Sequence, residues 1–193
     1  LALDLDNGNR RDSHGGGFYN GGGIVTLTNG SDVLNNVAYG DGAGFRNSGG
    51  IVNMSDGIID GNSIVMFSTA TQHGGGFWNQ GDAVTNLDSV IISNNEAGKG
   101  NPLGDGGTDG VSVGARVRGV GGGFWNTDGS VVNITGDSQL IGNRAEGGGA
   151  FYNTSTGSVR WPNSTLLPSD FSLASACTSA SMKPYSFRMD NMA

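Results

Sequence analysis

The chain has 193 residues, and 37 of them are glycine, about one in five where an average protein has roughly 7%. Strong helix formers are scarce, glycine has no strict period of three, and 35% of the residues are hydrophobic against 14% charged. These features exclude a helical bundle, a collagen and a disordered chain. The net charge of −7 argues against a nucleic-acid partner, and no 18-residue apolar run predicts a membrane-crossing helix.

The chain enters in the middle of a repeat. Residues 3–9, Leu-Asp-Leu-Asp-Asn-Gly-Asn, match a segment that recurs further along. We therefore expect a mature product or a fragment of a longer chain. Cys177 is the only cysteine, so no internal disulfide is expected.

The repeat itself is a glycine cluster followed by Phe, an outward residue and Asn. It occurs at residues 15–20, 42–47, 74–79, 121–126 and 147–153. Two further apolar segments follow each of the first four copies. The first is represented by residues 24–27, 51–54, 83–87 and 131–134, and the second by residues 33–36, 58–62, 91–95 and 140–143.

Three short strands per repeat of about 27 residues, with Gly and Asn at the corners, predict a parallel β-helix. We expect an all-β, right-handed, single-stranded solenoid of about five coils. It would occupy residues 1–162, with insertions at 63–73 and 96–119, and residues 163–193 would form a C-terminal cap or extended tail.

Stacking of the coils turns each repeated position into a column. The five Phe residues of the motif are predicted to form an internal aromatic column, and the Asn two residues later a hydrogen-bonded ladder. The residue between them points outward. That outward column contains Tyr19, Arg46, Trp78, Trp125 and Tyr152.

These glycine and asparagine motifs resemble the polymorphic outer membrane protein (Pmp) repeat of chlamydial surface autotransporters. In that family each coil carries a Gly-Gly-Ala-Ile and a Phe-x-x-Asn motif. Here the glycine motif reads Gly-Gly-Gly-Phe, and the second is apolar-apolar-x-Gly/Asn-Asn, as at residues 58–62. The similarity covers roughly residues 3–160. It implies a β-helix with a surface or secreted, adhesin-like or scaffolding role, and it carries over no catalytic residue.

Both insertions fall between the second apolar segment and the glycine cluster, in adjacent repeats, so they are predicted to emerge from one edge. The longer insertion carries Asp105, Asp109, Arg116 and Arg118. Its two aspartates offer the oxygen ligands that calcium prefers. The repeated nonapeptide of calcium-binding β-rolls is absent, and a solvated loop without a cofactor is the favoured interpretation.

One polar column precedes the glycine cluster and contains His14, Asp41 and His73. The two histidines are two strand spacings apart, roughly 9–10 Å, which is too far for them to share a metal. A His–Asp hydrogen bond between neighbouring coils is the most that this spacing allows. We interpret the column as polar side chains on the surface at a corner of the coil.

The outward column is the strongest candidate for function. Aromatic residues and Arg are enriched in protein interfaces, and aromatic rings also suit sugars. The alternative is that these side chains only cover the glycine-rich main chain. We expect a non-catalytic protein that binds protein or glycan and is extracellular, on the cell surface or lumenal. An accessory subunit of a larger assembly and a polysaccharide lyase or hydrolase are the other hypotheses.

Overall fold

The computed structural model describes residues 14–65, 71–99 and 119–161. Within these ranges the protein is all β, with no helix. In chain order the strands are β1 Phe18–Asn20, β2 Ile24–Leu27, β3 Val33–Leu34, β4 Val37–Ala38, β5 Phe45–Ser48, β6 Ile51–Ser55, β7 Ile58–Asp60, β8 Ser63–Val65, β9 Gln72–His73, β10 Phe77–Gln80, β11 Val84–Asp88, β12 Ile91–Ser93, β13 Glu96–Lys99, β14 Gly119–Val120, β15 Phe124–Asn126, β16 Val131–Thr135, β17 Gln139–Ile141, β18 Phe151–Asn153 and β19 Ser158–Arg160.

The strands stack in parallel, with one strand from each of the five repeats in sheets A and B and one from each of the first four in sheet C. Sheet A has the order β1-β5-β10-β15-β18, and sheet B has the order β2-β6-β11-β16-β19. Sheet C contains β3-β7-β12-β17. The register pairs equivalent residues of neighbouring repeats, such as Phe45 with Phe77 and Asn53 with Asn86. The prediction of stacked parallel strands is therefore confirmed.

A fourth strand per repeat was not predicted. Sheet D contains β4, β8 and β13, and a short sheet E pairs β9 with β14. These strands include residues 63–65, 72–73, 96–99 and 119–120. Residues at both ends of each predicted insertion are thus paired in sheets, and the insertions are shorter than the spacing of the motifs indicates.

The predicted internal Phe column is confirmed. Phe18, Phe45, Phe77, Phe124 and Phe151 stack with ring centroids 4.7–5.0 Å apart and planes within 2–11° of parallel. This distance is the strand spacing of a β-sheet, so the sheet itself places the rings in stacking contact. Inward residues of sheets B and C complete the core, among them Val52, Leu87 and Ile92.

Two buried asparagine ladders run the length of the stack. In the first, each side-chain amide donates to the next across Asn20, Asn47, Asn79, Asn126 and Asn153, with N–O distances of 2.8–3.0 Å. The second joins Asn36, Asn62, Asn95 and Asn143 at 2.9 Å. Each buried amide finds a partner in its neighbour, which removes the cost of burying it.

The three residues before each Phe are mostly glycine for a steric reason. The first of the three is a glycine with φ between 62° and 71° in all five repeats, a conformation that favours glycine. A methyl group on the third, as at Gly44, Gly76 or Gly123, would overlap the carbonyl oxygen of the next repeat. The triplet therefore sets both the turn and the close approach of successive repeats.

Candidate interaction surface on sheet A

The structure brings Tyr19, Arg46, Trp78, Trp125 and Tyr152 into one outward column of sheet A, each paired in register with the next. Their strands alternate inward Phe, outward residue and inward Asn, so the side chains of the column stand on the opposite face from the two internal ladders. Tyr19 is 56% exposed. The other four are half-buried.

Within the column, the side chains contact each other continuously. The guanidinium carbon of Arg46 lies 4.2 Å from the ring centroid of Trp78 and 5.6 Å from that of Tyr19. Trp78 and Trp125 stack at 5.4 Å with planes 8° from parallel, and Trp125 meets Tyr152 edge-on at 6.4 Å. A cation–π contact at an exposed site contributes about 0.5–1 kcal/mol, so the column is partly held together by its own contacts.

Both faces of the Trp78 ring are therefore occupied. One face of Trp78 is covered by Arg46 and the other by Trp125. His73 lies against Trp125, with ring centroids 3.3 Å apart. A sugar that stacks on an aromatic face therefore finds neither face of Trp78 free.

Three buried polar atoms of the column have no hydrogen-bond partner within the described part of the chain. They are Nε of Arg46 and Nε1 of Trp78 and Trp125. A buried donor left unpaired costs roughly 1–3 kcal/mol. A phenyl ring at position 78 or 125 would stack without that cost, so packing alone does not explain the choice of indole.

The polar column of His14, Asp41 and His73 flanks the aromatic one at the glycine corner. Asp41 Oδ1 lies 2.8 Å from Nδ1 of His73 and accepts a hydrogen bond from the His73 main-chain nitrogen at 2.7 Å. The main-chain nitrogen of Asp41 donates to Nδ1 of His14 at 2.9 Å. The predicted His–Asp bond between neighbouring repeats is present. Its chemical use here is to fix the His73 ring against Trp125.

The remaining predicted site residues, Asp105, Asp109, Arg116 and Arg118, lie outside the described residues, as does the predicted tail at 163–193. The calcium hypothesis stays untested for that reason. Among the described residues, no group of three or more His, Cys, Asp or Glu side chains has an arrangement that suits a metal ion.

Sequence reasoning missed two features of the surface. The first is the stacking of His73 on Trp125, for which the sequence gives no signal beyond the proximity of the two columns. The second is an outward asparagine ladder on sheet B, in which Asn86 donates to Asn53 and Asn133 donates to Asn86, both at 2.7 Å. The alternation of apolar and polar residues in strands 51–55 and 131–135 is the signal that would have found it.

Comparison with protein-family models, curated proteins and solved structures finds no match to this chain. In the described ranges, no helix has the length and apolar character that crossing a membrane requires. The evidence for function therefore lies in the surface geometry.

Proposed function

We propose that this chain is a right-handed, single-stranded parallel β-helix of about five coils that acts as a non-catalytic scaffold or adhesin-like domain. It binds a protein partner through the outward column of sheet A. The observation that carries the proposal is the unbroken column of Tyr19, Arg46, Trp78, Trp125 and Tyr152 on an exposed sheet face. The handedness rests on the strong preference of parallel strand crossovers for a right-handed path.

A protein fits this column better than a glycan does. Protein hot spots are enriched in Trp, Tyr and Arg, and their contacts do not require a free ring face. Arg46 and Trp125 cover the two faces of Trp78, so that ring offers no face on which a sugar would stack. The exposed ring of Tyr19 and the outer rims of the indoles form a ribbon of mixed apolar and polar atoms, a surface typical of protein interfaces.

The choice of indole supports a binding role. Phenylalanine rings stack at the repeat spacing in the neighbouring internal column, so a phenyl ring can stack at this distance. Tryptophan at positions 78 and 125 instead has a buried N–H that finds no partner among the described residues. Indole has a longer ring edge than phenyl. The fold does not need the longer edge, and a bound partner would contact it.

The proposed compartment, at the surface, secreted or lumenal, rests on the resemblance of the repeat to the Pmp repeat. The proposed role is non-catalytic because the column consists of aromatic and guanidinium groups and contains no base paired with a nucleophile. An accessory subunit would use the same column against a permanent neighbour.

The test compares three forms of the full chain as immobilised bait in extracts and secreted fractions of the native source. They are the wild type, a Trp78→Ser/Trp125→Ser variant and a matched Val84→Thr/Val131→Thr control on the outward face of sheet B. A partner retained by the wild type and the control is expected to fall at least about tenfold in the tryptophan variant. A Trp78→Phe/Trp125→Phe variant, which keeps the stack, shows whether the indole rim itself is needed.

Equal retention of every protein by the wild type and the tryptophan variant would overturn the proposed role of the column. Reducing-sugar and lyase assays on the wild type test the catalytic alternative directly. Product formation from a polysaccharide would replace the scaffold function with an enzymatic one.

A further inference from the structure

The outward column of sheet A has one charged member, and the fold gives that charge no counterion. In residues 14–65, 71–99 and 119–161, the salt-bridge contacts join Asp41 to His14 and to His73, and none involves Arg46. A guanidinium has a fixed positive charge in proteins. The chain has a net charge of −7, so a shortage of acidic residues does not explain why Arg46 lacks a carboxylate.

The guanidinium of Arg46 takes the place that an aromatic ring takes in the other four repeats. It lies 4.2 Å from the ring centroid of Trp78 and 5.6 Å from that of Tyr19. Because the group is planar, it continues the stack as a ring would, and it adds a charge that stacking does not require. Its contacts with the two rings hold it in place, so it loses less rotamer entropy when it binds a ligand.

The same guanidinium has hydrogen-bond donors that the fold does not use. Nε is the one nitrogen of Arg46 that is buried without a partner among the described residues, so the two terminal nitrogens stay within reach of a ligand. Their N–H groups form the planar fork that fits a carboxylate in a bidentate pair. Hydrogen bonds of this charged kind are roughly twice as strong as those between neutral groups.

The groups around Arg46 are neutral or already paired. Ser48, two residues along the same strand, accepts a hydrogen bond from the side-chain amide of Gln80 at 3.2 Å. At the glycine corner, the carboxylate of Asp41 lies 2.8 Å from Nδ1 of His73. A ligand that reaches Arg46 therefore meets a single cation beside aromatic surface and neutral polar groups.

A single cation in this setting disfavours a polyanion. Nucleic acids, uronic acid polysaccharides and polyacidic peptides repeat their charge along the chain, and they bind surfaces with clustered cations. The other four members of the column have no charge at neutral pH, and the net charge of −7 repels a polyanion. A neutral glycan would leave the guanidinium without a counterion, and it finds both faces of Trp78 covered.

We propose that the outward column of sheet A recognises a protein segment in which a single Asp or Glu is flanked by apolar residues. The carboxylate pairs with the terminal nitrogens of Arg46, and the apolar neighbours pack on the exposed ring of Tyr19 and on the accessible part of Trp78. Aromatic contacts around the ion pair exclude water, which strengthens it. This inference rests on the proposed function, because it defines the partner of the same column.

The probe is a phage-displayed library of random peptides, selected on the immobilised full chain. The best peptide is synthesised together with a twin in which its acidic residue is replaced by the corresponding amide. Fluorescence anisotropy of the labelled peptides measures their binding to the wild type and to Arg46→Gln and Arg46→Lys variants. The matched control is Arg160→Gln, which removes the same charge from an exposed residue of sheet B.

The selected peptides are expected to contain one Asp or Glu among apolar residues, and the amide twin is expected to bind the wild type about tenfold more weakly. Arg46→Gln should bind the two peptides alike, whereas Arg160→Gln keeps the tenfold preference. Arg46→Lys keeps the charge without the fork and should retain part of it.

Three results overturn the proposal: selection of no peptide or of peptides without an acidic residue, equal binding of the two peptides by the wild type, and an unchanged preference in Arg46→Gln. The amide twin tests the wild type itself, so the outcome does not depend on the folding of a variant. Polygalacturonate that binds the wild type and loses its binding in Arg46→Gln would assign the carboxylate to an acidic glycan and overturn the protein segment.

This proposal and the proposed function fail separately. A native partner whose retention depends on Trp78 and Trp125 but not on Arg46 leaves the proposed function standing and overturns the acidic segment. Retention of every native protein by the Trp78→Ser/Trp125→Ser variant overturns the proposed function itself.

Discussion

Each of the central repeats contributes one asparagine to an internal ladder and one to an outward ladder. Comparing the two shows how much burial adds to the contribution of a hydrogen bond to the free energy of unfolding. Asn79 belongs to a ladder inside the fold and is fully buried, whereas Asn86 belongs to the outward ladder and is half-buried. Each is bonded to the asparagine of both neighbouring repeats. Asn79→Ala and Asn86→Ala therefore remove the same side chain in two environments.

The Asn79→Ala change removes a hydrogen-bond partner from two fully buried groups. Oδ1 of Asn126 loses the Asn79 amide N–H that it accepts at 2.9 Å, and the Thr85 hydroxyl loses Asn79 Oδ1, the acceptor to which it donates at 3.0 Å. At roughly 1–3 kcal/mol for each unpaired buried group, the free energy of unfolding should fall by about 2–6 kcal/mol. Around Asn86, water replaces the lost bonds of half-buried neighbours, so the corresponding loss is at most about 1 kcal/mol.

Urea denaturation followed by tryptophan fluorescence measures the difference. With an m-value of about 2 kcal/mol per molar urea, the Asn79→Ala midpoint falls by about 1–3 M and the Asn86→Ala midpoint by less than about 0.5 M. Stacked repeats need not unfold in one step, so amide hydrogen exchange of β10 and β11 accompanies the midpoints. Equal midpoints for the two variants would refute the argument that burial gives the internal ladder its larger contribution.

Two further predictions concern the packing between successive repeats. Gly76→Ala places a methyl group against the carbonyl oxygen of Gly123 and should lower the free energy of unfolding by about 1–3 kcal/mol. Gly147→Ala, whose nearest neighbour is a Val120 methyl carbon at 3.1 Å, is the matched control and should cost much less in the same urea titration. Phe77→Ala removes a fully buried ring from the middle of the internal column and should cost about 3–5 kcal/mol. A loss below 1 kcal/mol in thermal melting would contradict the inward placement of the Phe column.

The internal Phe and Asn columns were predictable because stacking gives the equivalent residue of each repeat the same surroundings. A Phe between two Phe residues, or an Asn between two Asn residues, finds the partner that suits it, so the sequence repeats the residue type. Sheet D lacks that signal. Its inward column reads Ala38, Ile64 and Ala97, with no shared residue type, and pairing with the neighbouring repeat defines those strands.

The sequence predicts which residues form the outward column of sheet A. It does not predict how their side chains are oriented. Register alone brings Arg46, Trp78 and Trp125 together, and the alternation of a strand turns them outward. Which faces of the rings stay free depends on side-chain torsions, and the sequence does not determine those torsions. Arg46 over one face of Trp78 and Trp125 over the other leave that ring no free face for a sugar, and only the three-dimensional arrangement shows it.

The contrast between inward and outward columns shows where the chain carries specific chemistry. On the inward side of sheet A, a change in one repeat disturbs the repeats on both sides. Phe and Asn therefore recur in all five repeats. Outside, solvent relaxes that requirement, and the residues differ from rung to rung. The outward column of sheet A nonetheless stays aromatic or cationic at all five positions, and that of sheet B keeps asparagine at three successive ones. A surface that stays chemically uniform where the fold permits variation is the place to look for binding.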